Sequence, residues 1–233
     1  MTEADALSPT PDTVQAAAAR LATVRGRIAA GAALARRDPD EIQLVAVSKT
    51  HDAAAIAPLI AAGQRSFGEN RVQEAQGKWP VLKARWPGIE LHLVGQLQSN
   101  KADDAAALFD VIHSLDRPSL VAALGKAMAK AGRRIPCFIQ VNIGEEAQKG
   151  GCAIADIAVL RRTAEAAGIP VIGLMAVPPA EVEPAPYFAL LAELAAREGL
   201  AQISMGMSGD VETAVQLGAT CVRVGSALFG ARG

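Results

Sequence analysis

Lys49 is the residue whose type and setting offer the most chemistry. It follows Leu44-Val-Ala-Val-Ser48, a short apolar run, and precedes Thr50-His-Asp52 and an alanine-rich stretch. Such a run fits a strand buried on both faces, with the lysine at its carboxyl end. Partial desolvation in a place of that kind favours a neutral, nucleophilic amine able to form a Schiff base with a carbonyl compound. Taken alone, Lys49 is better read as a surface lysine that opens a loop. Two further stretches bear on the choice. Ser208-Gly209 and Gly225-Ser226 each stand where a helix is predicted to start. Free N–H groups at helix starts, approached closely through glycine and joined by serine hydroxyls, can cradle a phosphate. Each serine alone reads as an ordinary helix cap; the pair favours an anion. Arg223 lies between Val222 and Val224 in an apolar run. Its charge needs a partner there, and Glu69 or a ligand atom could serve.

These residues need a scaffold. Residues 1–10 are polar and expected to fray. Thr10-Pro11-Asp12 then starts a long helix over 12–36. Val14, Ala18, Leu21, Ile28 and Leu34 are predicted to share its buried face, with Arg20, Arg25, Arg27 and Arg36 decorating the rest. From residue 42, β-branched runs at 43–48, 65–67, 90–94, 110–113, 136–142, 170–174, 202–204 and 220–224 alternate with helical stretches at 53–62, 70–84, 100–108, 118–131, 154–167, 185–198 and 209–217. Gly63, Gly132, Gly168, Gly199 and Gly218 stand just past five of those helices, where a left-handed residue is expected. This alternation is the arithmetic of an α/β fold, a single (β/α)8 TIM-type barrel over residues 11–233 with an extra N-terminal helix. A doubly wound sheet is the alternative, but no GxGxxG follows the first strand. In the barrel, Ser48-Lys49-Thr50, Phe67 to Arg71, Gly95 to Lys101, His113-Ser114, Asn142 and Gly144 to Glu146, Met175, Gly206 to Asp210 and Arg223 to Ser226 all fall on the rim where barrel chemistry gathers.

Composition narrows the partners. The chain is 51% hydrophobic but 3% aromatic, so Ala, Val, Leu and Ile must build the core. With 23 basic and 24 acidic residues and no basic block, nucleic acid is not an expected partner. Cys137, Cys152 and Cys221 form no CxxC pair, and His51, His92 and His113 lack ligand spacing, so no metal is expected and the cysteines read as buried thiols. The N-terminus lacks a secretory pattern and no apolar run is long enough for a bilayer, which reads as a soluble cytoplasmic protein. No apolar patch is evident, which leans towards a monomer.

A Schiff-base lysine, a phosphate cradle and a buried arginine together suggest pyridoxal 5′-phosphate (PLP). The motifs Val45-Ala-Val-Ser-Lys-Thr50, Phe67-Gly-Glu-Asn-Arg-Val-Gln-Glu74, His92-Leu-Val-Gly-Gln-Leu-Gln-Ser-Asn-Lys101, Gly173-Leu-Met175, Ser204-Met-Gly-Met-Ser-Gly-Asp210 and Val222-Arg-Val-Gly-Ser-Ala-Leu-Phe-Gly230 follow in order. From about residue 12 to the end the chain resembles the pyridoxal phosphate homeostasis protein family, whose members are alanine-racemase N-terminal-domain-like. The resemblance implies a PLP-bearing barrel with Lys49 as the Schiff-base lysine, phosphate on Ser208, Gly225 and Ser226, Arg223 against the pyridine nitrogen and Asn70 near the ring. It implies a carrier that buffers intracellular PLP (vitamin B6) with no robust turnover, and apo PLP-dependent enzymes as possible acceptors of the cofactor. A minimal PLP-dependent amino-acid racemase is the alternative, and a Schiff-base aldolase a third reading. Racemases of the related fold add a β-rich domain that supplies a tyrosine base. This sequence stops at Gly233, and its single tyrosine, Tyr187, reads as a packing residue. Gln96 and Gln148 to Gly151 receive no role. Lys101 and Lys149 read as rim lysines that could hand PLP on by transimination, surface charge being the plainer reading.

Overall fold

The computed structural model describes residues 7–230. Of the ten N-terminal residues expected to fray, 1–6 lie outside the described residues. Leu7 is buried in the core, and Ser8 Oγ accepts a hydrogen bond from Arg85 Nη2 at 2.9 Å. Helix α1 (Pro11–Leu34) opens with Pro11 in its first turn and Thr10 as its cap. It buries Ala17, Leu21, Val24, Ile28, Gly31 and Ala32, steps of three and four that trace one stripe. Leu34 is off that stripe and 74% exposed, which corrects its predicted place in the core.

Eight parallel strands close into one barrel in chain order. They are β1 (Gln43–Val47), β2 (Ser66–Glu69), β3 (Glu90–Leu93), β4 (Val111–Leu115), β5 (Cys137–Gln140), β6 (Val171–Met175), β7 (Gln202–Ser204) and β8 (Cys221–Val224). Helices α2 (Ala53–Ala61), α3 (Val72–Gln76), α4 (Trp79–Arg85), α5 (Ala102–Leu108), α6 (Pro118–Ala131), α7 (Ile157–Ala166), α8 (Ala185–Arg197), α9 (Val211–Gln216) and α10 (Ser226–Phe229) follow the strands. All five glycines predicted at helix ends have positive φ. The single helix predicted over 70–84 is instead α3 and α4. Pro80 lacks the N–H that would continue α3, so the chain breaks at Gly77-Lys78 and restarts.

Strand residues alternate in the pattern a barrel requires. Leu44, Phe67, Leu91, Ile112, Ile139, Leu174, Ile203 and Val222 join the large core shared with the helices, while Val111, Phe138 and Met175 form a separate small cluster. Cys137, Cys152 and Cys221 are buried free thiols, as expected. Burial pushes Cys152 up to about 12 and Cys221 up to about 11, and raises Cys137 further. Among the described residues, no helix is long and apolar enough to cross a membrane and no His, Cys, Asp and Glu cluster could hold a metal.

Helix α1 crosses α9 at Gly31. A Cβ there would stand 2.8 Å from the Glu212 carbonyl oxygen and 3.1 Å from Val215 Cβ. Gly31→Ala is therefore expected to lower stability by roughly 1–3 kcal/mol, because the backbone must move apart. A thermal melt checks this, and an unchanged midpoint would contradict the close crossing.

Candidate functional site

At the carboxyl end of the barrel lies a cavity of about 430 Å³. Its walls include all six residues singled out in the sequence: Lys49, Asn70, Ser208, Arg223, Gly225 and Ser226. Each arrives on a loop or strand end of β1, β2, β7 or β8, so four neighbouring strands build the site.

Lys49 follows β1 by two residues and is half-buried. Its ammonium makes no hydrogen bond or ion pair with any described residue, so its amine is uncommitted. Ser48 beside it is buried and donates to Glu69 Oε1 at 2.6 Å. Asn70 is set by Gly95, where a Cβ would fall 2.2 Å from the Asn70 carbonyl oxygen. Gly95→Ala should displace Asn70 and weaken ligand binding about tenfold, the order expected when a group beside the ligand moves by about 1 Å or more. Isothermal titration would read the change, and unaltered affinity would remove Asn70 from the site.

Arg223 is buried on β8 and donates to Ser204 Oγ and, at 2.9 Å, to the Ala176 carbonyl. It does not pair with Glu69, one of the two partners considered from sequence. Glu69 shares the side of β2 that carries Phe67, facing the helices, and binds Lys78, Ser48 and Trp79 there. The structure gives Arg223 a different connection. Ser204 Oγ lies 2.9 Å from His113 Nδ1, His113 Nε2 is 2.9 Å from His92 Nδ1, and His92 Nε2 is 2.9 Å from Glu90 Oε2. With one proton on each ring the chain has a single direction: Arg223 donates to Ser204, Ser204 to His113, His113 to His92, and His92 to the Glu90 carboxylate. Burial, then His92 and Arg223, push His113 well below the usual imidazole range, which keeps that ring neutral. The bond from His92 holds Glu90 below the usual carboxylate range. Burial likewise lowers Arg223. A buried guanidinium thus reaches a half-exposed counter-charge across the barrel through Ser204, His113 and His92.

The anion loops differ in detail from the prediction. Ser208-Gly209 does not open a helix; α9 begins at Val211, and Asp210 Oδ1 accepts the Met207 N–H at 2.6 Å. Ser226 occupies the first turn of α10, and Gly225 takes the cap position. Neither serine caps a helix. The nearest acceptor of the Ala227 N–H is Ser208 Oγ at 3.4 Å, a bond long enough for an anion to displace. Helix α1 fastens both loops: Arg27 donates to the Ser208 carbonyl at 2.6 Å and pairs with Glu212, while Arg20 donates to the Leu228 carbonyl at 2.6 Å. Both arginines were expected only to decorate the helix. His51 stacks on Phe229 with ring centroids 4.5 Å apart, closing the wall between the β1 and β8 loops. Lys101 and Lys149 pair with Asp104 and Glu146 outside the cavity lining, and Tyr187 packs on the core.

Residues 20–233 match the family described as alanine racemase, N-terminal domain. The pyridoxal phosphate homeostasis protein of Pseudomonas aeruginosa is 42% identical over 92% of this chain and 95% of its own length. Its counterpart in Escherichia coli is 40% identical over 91% and 95%. The chain belongs to the pyridoxal phosphate homeostasis protein family. PipY of Synechococcus elongatus, solved with PLP bound, superposes with a TM-score of 0.81 at 38% identity, covering 92% of this chain and all of PipY. Alanine racemase from Bartonella henselae is 18% identical, with a TM-score of 0.69 over 94% of this chain and 59% of its own, and shares the barrel. The sequence motifs single out residues that line the cavity, whereas the histidine chain and the hold of the α1 arginines on the loops have no counterpart among them.

Proposed function

We propose that this chain binds PLP in the cavity and serves as a carrier that buffers the cofactor in the cytoplasm. Lys49 holds it as a Schiff base. The loops of Ser208, Gly225 and Ser226 take the phosphate, Arg223 faces the pyridine nitrogen and Asn70 borders the ring. The observation that carries this reading is the convergence of an uncommitted amine, a buried cation and two anion-ready loops on one cavity. The donor set fits the group: PLP is an anion with an aldehyde and a basic ring nitrogen, and each has a matching residue.

PLP supplies an electron sink for carbanion chemistry when its ring nitrogen is protonated. Arg223 presents a fixed positive charge and N–H donors at that place, so it accepts no proton and disfavours one on the atom it faces. Held by Ser204 and the Ala176 carbonyl, it cannot turn away. This favours storage over turnover, with apo PLP-dependent enzymes as the acceptors. The shared barrel of alanine racemase supports a second reading, a minimal amino-acid racemase. A panel of single-enantiomer amino acids separates them, since turnover in the usual enzymatic range of about 1–10³ s⁻¹ would overturn the carrier reading.

The binding claim is tested by the absorption spectrum of the purified protein, then borohydride reduction and peptide mapping. A visible band lost on reduction, with a pyridoxyl group on Lys49, is expected. A colourless protein left unmodified by excess PLP would overturn it.

A further inference from the structure

We propose that Lys78 is the positioning residue for Lys49, fastening the strained turn that presents the Lys49 amine to the cavity. The inference rests on Lys49 being the PLP-bearing lysine.

The turn runs from Ser48 to His51, closed by the His51 N–H on the Ser48 carbonyl at 3.1 Å. Within it Thr50 has φ +67°, a left-handed conformation that a β-branched residue adopts only when its surroundings enforce it. Lys78 supplies that enforcement. Its ammonium donates to the Ser48 carbonyl at 3.0 Å and to the His51 carbonyl at 2.7 Å, gripping the chain on both sides of Lys49-Thr50. It is held in turn by Glu69 and Glu74, each at 3.0 Å. Glu74 Oε1 also accepts the Thr50 N–H, and Glu69 Oε1 accepts the Ser48 hydroxyl. Every bond in the cluster ends on the turn or on a residue that touches it. Lys78 is 7% exposed and Glu69 is fully buried. A buried ion pair adds little net stability over apolar side chains of the same volume, so its geometry points to placement of the turn. The break between α3 and α4 gives Lys78 its reach, since it stands at the start of α4 outside both helices.

Attachment requires the neutral Lys49 amine to add to the aldehyde carbon, the carbonyl oxygen leaving as water. A turn that wanders misplaces that amine without altering the phosphate loops. The test follows the appearance of borohydride-fixed label on Lys49 after PLP is added, alongside binding of pyridoxine 5′-phosphate, which has no aldehyde. Lys78→Met is expected to slow labelling about tenfold, as release of a backbone strain of this kind implies, with pyridoxine 5′-phosphate affinity kept within about threefold. Adding Thr50→Gly should restore most of the rate, because glycine holds a positive φ without help. The same comparison in Lys78→Met/Glu69→Gln, which leaves no lone buried charge, guards against misfolding. Labelling at the wild-type rate, an equal loss of pyridoxine 5′-phosphate binding, or no rescue by Thr50→Gly would each overturn the proposal. Absence of label on Lys49 in the unaltered protein would instead overturn the reading on which it rests.

Discussion

Lys49→Ala protein is expected to take up no borohydride-stable pyridoxyl label, while still binding PLP weakly and reversibly. Among the described residues, no other lysine lines the cavity. Lys78, which grips the β1 loop from the start of α4, donates to two carbonyls and the Glu74 carboxylate and ion-pairs with Glu69. Lys101 and Lys149 are paired outside the cavity wall. Deleting the Lys49 side chain leaves the Ser208 and Gly225-Ser226 loops and Arg223 in place, because α1 and the barrel interior hold them. Residual binding should therefore compete with inorganic phosphate. Mass spectrometry after reduction gives the answer in one experiment. A pyridoxyl group appearing at full occupancy on another lysine would move the chemistry elsewhere in the molecule.

The second large effect is expected at His113. His113→Leu removes the middle of the chain from Arg223 to Glu90 and leaves Ser204 Oγ and His92 Nδ1 facing a hydrocarbon. Breaking a buried polar network in this way costs about 3 kcal/mol. For a chain of this size that corresponds to a melting point lower by roughly 6–12 °C. The same residue fixes a pH dependence. Burial, first of all, holds the folded ring well below the ordinary value of 6.5, so below that pH the unfolded chain binds a proton that the folded chain refuses. The stability contributed by neutral His113 is thus complete above pH 6.5 and is lost as pH falls, by up to about 1.4 kcal/mol per unit, until the folded ring titrates. Carboxylates held low, such as Glu90 and Glu212, add their losses only below their ordinary value of 4.5. Urea midpoints at pH 7.5 and 5.5 would separate the two, and His113→Leu should abolish the difference assigned to the ring. A wild-type midpoint flat across that interval would contradict a neutral His113.

The barrel was legible because its signals are local. β-branched runs, helical stretches and glycines past helix ends recur along the chain, and each needs only its own neighbours to be read. The cavity lining was legible because barrel chemistry collects on the loops after the strands, and the motifs fall on those loops as a set. What escaped depended on distances between elements. Arg223 was offered Glu69, yet Glu69 has the parity of Phe67 and faces the helices, whereas Arg223 alternates with Val222 and Val224 and faces inward. His92, His113 and Ser204 share the inward parity, so strand alternation held a signal for the chain, although not for the register that brings the four side chains within hydrogen-bond reach. Lys78 falls inside the helix predicted over 70–84, and only the break before Pro80 frees it to reach the turn. Arg20 and Arg27 looked like a solvated helix face because nothing in α1 itself tells which loops it lies across.

The three cysteines add a consequence of another kind. Cys137 and Cys221 lie in β5 and β8, and Cys152 follows β5 in the loop beyond Gly151. Buried and held protonated, none offers a thiolate to solvent or to an aldehyde, so the protein can keep company with a reactive carbonyl without forming thiol adducts. Their silence is also a clock. A thiol reagent can reach Cys137 and Cys221 only when the wall parts, so its rate of reaction times the opening of the barrel at β5 and β8, and a bound ligand bridging β1 and β8 should slow the β8 hand of that clock more than the β5 hand.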